Sequence, residues 1–141
     1  MTPIVQKLVV DLPAGSQASA ELLWGEPTGP AQYQLKSVPV WSYGLGYEDV
    51  VEATLRDDGR LHVNRVVKPS GFLTVRAAGP EADKAVLGRL FDALQKAAVA
   101  VELLSPSYGA FAMEADAFSA IEPLIDEAER TGKIFVQVAN D

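Results

Sequence analysis

The sequence predicts an α+β fold in two halves: a small antiparallel β-barrel-like unit over residues 1–70, then a ferredoxin-like βαββαβ unit over residues 71–141. Three observations lead there. Up to Pro69-Ser70-Gly71 the chain is a series of short alternating runs broken by Gly, Pro and Asp. Beyond it, two stretches carry apolar residues at three- and four-residue spacing. These two stretches interleave with strand-like runs in the order strand, helix, strand, strand, helix, strand, which with both helices on one sheet face is the ferredoxin-like arrangement.

In the first half, Lys7–Leu12 reads as a strand ended by Pro13 and Gly15, and Ala18–Trp24 as a second ended by Gly25 and Pro27. Gly29-Pro30 marks a turn. Gln32–Val38 alternates, placing Tyr33 and Leu35 toward a core until Pro39 interrupts the ladder. Asp49–Arg56 and Arg60–Val67 flank Asp57-Asp58-Gly59, a strong hairpin signal. Short strands with turns at such intervals fit a small antiparallel barrel or a strongly bent sheet.

In the second half, Phe72–Ala78 is a strand on which Thr74 and Arg76 share one face. Glu81–Ala98 predicts an amphipathic helix on Val86, Leu87, Leu90, Phe91 and Leu94, with Glu81 and Asp83 near its start and Lys96 in its last turn, matched to the helix dipole. Val99–Leu104 and Gly109–Glu114 flank Ser105-Pro106-Ser107 and predict a hairpin. A second helix starts at Asp116, with an irregularity at Pro123, or at Ser119 with capping-box spacing to Glu122; the Asp116 start is preferred. Gly132 supplies the stop and Ile134–Val138 the last strand.

Composition excludes several function classes. The chain has 141 residues, in the range of one domain of about 100–200. With no cysteine and one histidine, His62, it lacks the ligands of a usual zinc site, so no metal and no cofactor is expected. The net charge is −7, and 5 of those 7 negative charges fall in residues 71–141, which hold 6 basic and 11 acidic residues. Nucleic acid is therefore not an expected partner. No apolar run spans a membrane and no signal peptide is visible, which predicts a cytoplasmic protein.

Groups suited to catalysis are few. His62 alternates with Leu61 and Val63, which predicts a solvent-facing strand histidine. No Gly-x-Ser-x-Gly elbow or phosphate loop is present. The densest unusual segment is Pro39–Asp49, with Trp41, Tyr43 and Tyr47, two glycines, and the acids Glu48 and Asp49. Rings on such a loop either grip a partner, with the acids as a charged rim, or plug a barrel end. Arg76 either pairs with a carboxylate between the halves or receives an anionic ligand. Glu122, Asp126, Glu127 and Glu129, with Glu114 and Asp116, give one side a negative potential able to steer a basic partner.

Three stretches, Glu21–Glu26, Ser37–Val51 and Val66–Arg76 with its Ser-Gly-x-x-Thr-x-Arg, resemble the bacterial domain-of-unknown-function family 4265. The likeness extends to an alanine-rich helix, hairpin, helix and strand. That family's pattern has Gly-Asp before Val-Val and a histidine after Ser-Gly, where this chain has Glu48-Asp49 and Phe72. The resemblance implies the two-part fold and no particular reaction.

These readings favour a non-catalytic binding module, most concretely an immunity or inhibitor protein neutralising a bacterial toxin or enzyme. Its expected contact residues are Trp41, Tyr43, Tyr47, Glu48, Asp49, Arg76, Glu127 and Glu129, and its partner is another protein, basic in character. The alternatives are a sensing domain holding a small molecule between the halves, and an enzyme using Glu48 or Asp49 as base.

Overall fold

The computed structural model describes residues 4–80, 84–131 and 133–140. Strands β1 (Gln6–Asp11), β2 (Ala20–Gly29), β3 (Gln32–Leu35), β4 (Val50–Leu55) and β5 (Leu61–Lys68) close into a barrel. Sequence neighbours pair antiparallel, and the Asp57-Asp58-Gly59 turn forms as its composition demands, with Gly59 at φ 78. Closure differs from the all-antiparallel expectation, because β1 and β5 pair in parallel, Leu8 opposite Leu61 and Val9 opposite His62. Strands so far apart in sequence leave no local signal of their pairing. β2 also runs past Trp24 through Pro27, which sits where the register shifts against β3, a position that tolerates a missing N–H. Leu8, Leu23, Leu35, Leu45, Val51 and Ala53 fill the barrel.

The second half comprises β6 (Leu73–Ala78), α1 (Lys84–Ala97), β7 (Ala100–Ser105), β8 (Tyr108–Met113), α2 (Ala115–Glu129) and β9 (Phe135–Val138). Its sheet has the order β7-β8-β6-β9, with every pair antiparallel. The expected charges at Glu81 and Asp83 and the stop at Gly132 lie outside the described residues. α2 starts at Ala115, one residue before the preferred Asp116; Glu114 caps it without a side-chain hydrogen bond, and Pro123 lies inside it.

Strand alternation then gives this sheet two different faces. Val75, Ala77, Phe111 and Met113 turn toward the helices and pack with Leu87, Leu90, Phe91, Leu94, Ile125, Ala128 and Ile134. On the other face Ala110 and Ala112 are small, and Val38 and Val40 of the β3–β4 connection lie directly on them. The barrel and the sheet thus share this connection as a common layer.

A 71–141 fragment would expose Ala110, Ala112 and the underside of β6 to water in a unit already near the size where a core is marginal. We expect it to show no cooperative thermal transition by circular dichroism; a sharp transition would mean that the halves fold independently.

Candidate functional site

The connection from residue 36 to residue 49 is long, yet its polar groups hold it fast at both ends. Glu21, on the inward-turned side of β2 and 8% exposed, is the main anchor. Its carboxylate accepts the backbone N–H of Val40 at 2.7 Å, of Trp41 at 3.2 and 3.3 Å, and of Ser42 at 2.9 Å, together with the Ser42 hydroxyl at 2.5 Å. Three successive amides converging on one point form a nest of the kind that binds anions. Here the protein's own carboxylate fills it, and the Gly44 and Gly46 amides beside it are likewise committed, to the Ala139 carbonyl and to Asp49.

At the far end Asp49 accepts the N–H of Gly46 at 2.8 Å with one oxygen and that of Ser70 at 2.8 Å with the other. Ser70 Oγ in turn donates to the Tyr47 carbonyl at 2.7 Å. The second sheet supplies the remaining ties. Thr74 Oγ1 donates to the Leu45 carbonyl at 2.9 Å, and Gly44 N–H to the Ala139 carbonyl at 2.9 Å. Asn140 bridges Thr74 N–H and the Phe72 carbonyl at 2.7 and 2.9 Å. Gly46 is required by close approach: a Cβ there would lie 2.6 Å from Asn140 Nδ2 and 2.9 Å from the Phe72 carbonyl.

The aromatic residues differ in their situation. Trp41 is half-buried and stacks on Tyr108, ring centroids 5.5 Å apart, while Tyr108 donates to the Val40 carbonyl at 3.0 Å. Burial raises the Tyr108 phenol above its ordinary pKa. Tyr47 leans on Phe72 at 6.1 Å. Tyr43 is 64% exposed and accepts from Gln137 Nε2 at 3.2 Å; Phe135, two residues before Gln137 on the same face of β9, is 67% exposed.

Arg76, expected either to pair with a carboxylate between the halves or to receive an anionic ligand, lies 4% exposed under Tyr43, with its guanidinium carbon 5.1 Å from the ring centroid. Its Nη2 donates to the Ser42 carbonyl rather than to a carboxylate, and its Nε has no partner. Burial depresses its pKa from the ordinary arginine value.

The other expected site residues are dispersed. Asp49 is buried and spent on two amides, so it forms no charged rim. Glu48 is partly buried and takes φ 66, a left-handed conformation uncommon outside glycine. Glu127 and Glu129 lie exposed on α2, across the sheet from the loop, and Glu129 accepts the Val136 N–H at 3.3 Å. The acidic helix and the aromatic loop therefore do not form one surface.

His62 is on the outer side of the barrel wall as alternation required, but it is only 7% exposed rather than solvent-facing. Two carboxylates cover it: Asp58 lies 2.7 Å from Nε2 and Asp11 3.0 Å from Nδ1, and Arg56 also reaches Asp11 at 3.1 Å. Hydrogen bonding to Asp58 and then to Asp11 raises the histidine pKa above 6.5, and the bond to His62 lowers that of Asp58. With both ring nitrogens engaged, the imidazole links the β4–β5 turn to β1 across the parallel closure. Among the described residues no group of three His, Cys, Asp or Glu side chains is placed to hold a metal ion.

Sequence reasoning passed over Glu21, Ser42, Tyr108 and Asn140. The one available signal was Glu21, a carboxylate alternating with Leu23 and Gly25 on the inward side of an apolar strand.

These features define an α+β protein built from a closed five-stranded barrel and a four-stranded sheet carrying two helices. The chain belongs to the family described as Domain of unknown function (DUF4265), whose model matches residues 21–135. It is similar in fold to the crystal structure of a hypothetical protein from Neisseria gonorrhoeae, with TM-score 0.78 and 17% identity over 99% of this chain and 96% of that one. No curated protein matches. No helix among the described residues is long and apolar enough to cross a membrane.

Glu21→Ala should lower stability by about 3 kcal/mol, and the melting temperature by roughly 10 °C, since it strands three amides and a hydroxyl away from water. Differential scanning calorimetry checks this; a change within about 0.5 kcal/mol would mean that solvent reaches the nest. For His62, a folded pKa above the unfolded value means that the cage contributes fully below about pH 6.5 and that the contribution is lost as pH rises through the folded pKa. Urea unfolding of wild type and His62→Gln should give a stability difference that is largest below about pH 6.5 and shrinks as pH rises above it. A difference constant with pH would show that His62 contributes only by packing.

Proposed function

We propose that this protein is a non-catalytic binding module that presents the aromatic side of the loop around Tyr43 to a partner protein, and that an inhibitor or immunity protein is its most concrete form. One observation carries the reading: a loop whose amides are held by the Glu21 and Asp49 carboxylates leaves Tyr43 exposed over β9, the strand that also carries exposed Phe135. A general base needs a free lone pair within reach of substrate, and Glu21 and Asp49 have theirs occupied by amides. A binding surface instead gains from rigidity, because rings already held in place lose little entropy on association.

The strand order and the shared helix face favour reading the second half as a ferredoxin-like unit, which here serves as the platform under the loop. A second reading, a sensor of small molecules, is favoured by a cleft of about 360 Å³ between the halves, bordered by Asp49, Val66, Phe72, Leu73 and Asn140.

Affinity capture with wild type and Tyr43→Ala in parallel, then surface plasmon resonance on the captured partner, tests the first reading. Tyr43→Ala should raise the off-rate about tenfold, equivalent to about 1.4 kcal/mol for an aromatic anchor. The pair Glu127→Lys and Glu129→Lys should leave the off-rate unchanged, because α2 lies beyond the sheet. An unchanged off-rate in Tyr43→Ala would remove the loop from the interface.

A further inference from the structure

The barrel strands also border a groove of about 520 Å³, within the range of small-molecule sites. Its wall is apolar: Val9 from β1, Leu22 from β2, Leu55 from β4 and Leu61 from β5. Leu55 is 66% exposed and Leu22 is 53% exposed, so two large aliphatic side chains stand in water where strand alternation turns them outward or past the barrel rim. Two cations, Lys7 and Arg60, line the same groove, and no Asp or Glu among the described residues does. In a chain with 19 acidic and 12 basic residues, this is a local reversal of charge.

The neighbouring acids are turned elsewhere. Asp58 accepts the Arg60 N–H at 2.9 Å and faces His62, and Asp11 is shared by His62 and Arg56. Among the described residues neither Lys7 nor Arg60 joins an ion pair; Lys7 Nζ lies 5.6 Å from the centre of the Trp24 ring.

We propose that this groove is a binding site for a small amphipathic carboxylate, its apolar body along Leu22, Leu55 and Leu61 and its head group between Lys7 and Arg60. Apolar wall and unpaired cations together select that class. A neutral apolar molecule leaves the cations unused, and an organic cation is repelled by them. An inorganic anion leaves the aliphatic wall in water. None of the groove's described lining residues belongs to the loop around Tyr43.

The proximity of Trp24 to Lys7 supplies a reporter. Decanoate, kept below its micellar concentration, should change Trp24 emission saturably, and Trp24→Phe should abolish the change while Trp41 remains. Across hexanoate, octanoate and decanoate, affinity should rise about twofold to fourfold per methylene, the upper limit being full burial of each group. Decanol and decylamine should bind at least tenfold more weakly than decanoate. Lys7→Gln with Arg60→Gln should remove the preference for decanoate over decanol. Leu22→Gln with Leu55→Gln, both on exposed side chains, should weaken decanoate and decanol alike.

Methyl chemical shifts of Val9, Leu22, Leu55 and Leu61 should move on titration, with those of Val38 and Val40 under the loop unmoved. Equal affinity for decanol and decanoate, shifts centred on Val38 and Val40, or no saturation at millimolar decanoate would each overturn the proposal. Co-sedimentation with phosphatidylglycerol vesicles that decanoate does not compete away would also overturn it, placing the groove at a lipid surface.

Discussion

The Glu21 carboxylate fixes the relation between the two sheets. Pro39 and the residues after it form a connection that, left to water, would sample many conformations at a cost of about 1–2 kcal/mol per residue to order. By accepting three successive amides, Glu21 converts that connection into an extension of the barrel wall. Val38 and Val40 are then in position to cover Ala110 and Ala112, and Trp41 to stack on Tyr108. Small residues on β8 are needed for the same reason, since larger side chains would hold the loop off the sheet. The apolar contact and the carboxylate cage support each other: burial strengthens the hydrogen bonds, and the hydrogen bonds make the burial of polar backbone tolerable.

Arg76 shows the cost of that layer. Strand alternation places it on the loop-facing side of β6, so the layer that covers Ala110 and Ala112 also covers a guanidinium. It receives the Ser42 carbonyl and the face of Tyr43, while Glu21, the carboxylate nearest in purpose, is committed to the amides. A buried cation compensated by dipoles and a ring is weaker support than a direct ion pair, and it leaves Nε without a partner. The loop is thus held by carboxylates at Glu21 and Asp49 and, between them, by the Arg76 guanidinium and the Gln137 amide that fix Tyr43 with its ring exposed.

Local chemistry made much of the fold legible. Asp57-Asp58-Gly59 and Ser105-Pro106-Ser107 each specify a turn, and the spacing of Leu87, Leu90, Phe91 and Leu94 specifies a buried helix face. Period-two alternation placed Thr74 and Arg76 together and His62 on the outside of the barrel. What alternation does not carry is the partner across space. His62 is covered by an aspartate 51 positions away, and Glu21 is satisfied by amides 19 to 21 positions away. The same limit hid the parallel closure, which rests on only two residue pairs. In β2, Leu22 and Trp24 face outward while Glu21 and Gly25 turn inward, so hydrophobicity alone points to the wrong side of that strand.

Glu48 and Phe72 occupy two places whose local physics differ. Glu48 holds φ 66, a conformation costing a non-glycine residue about 1–2 kcal/mol. Two flanking backbone bonds impose it: Glu48 N–H donates to the Leu35 carbonyl at 2.9 Å, and Leu35 N–H to the Asp49 carbonyl at 2.8 Å. The left-handed turn therefore belongs to the scaffold rather than to the Glu48 side chain. Phe72 rests against Tyr47, and its carbonyl accepts from Asn140. Its backbone role in tying β6 to the chain after β9 therefore does not depend on its ring, which instead packs on the loop.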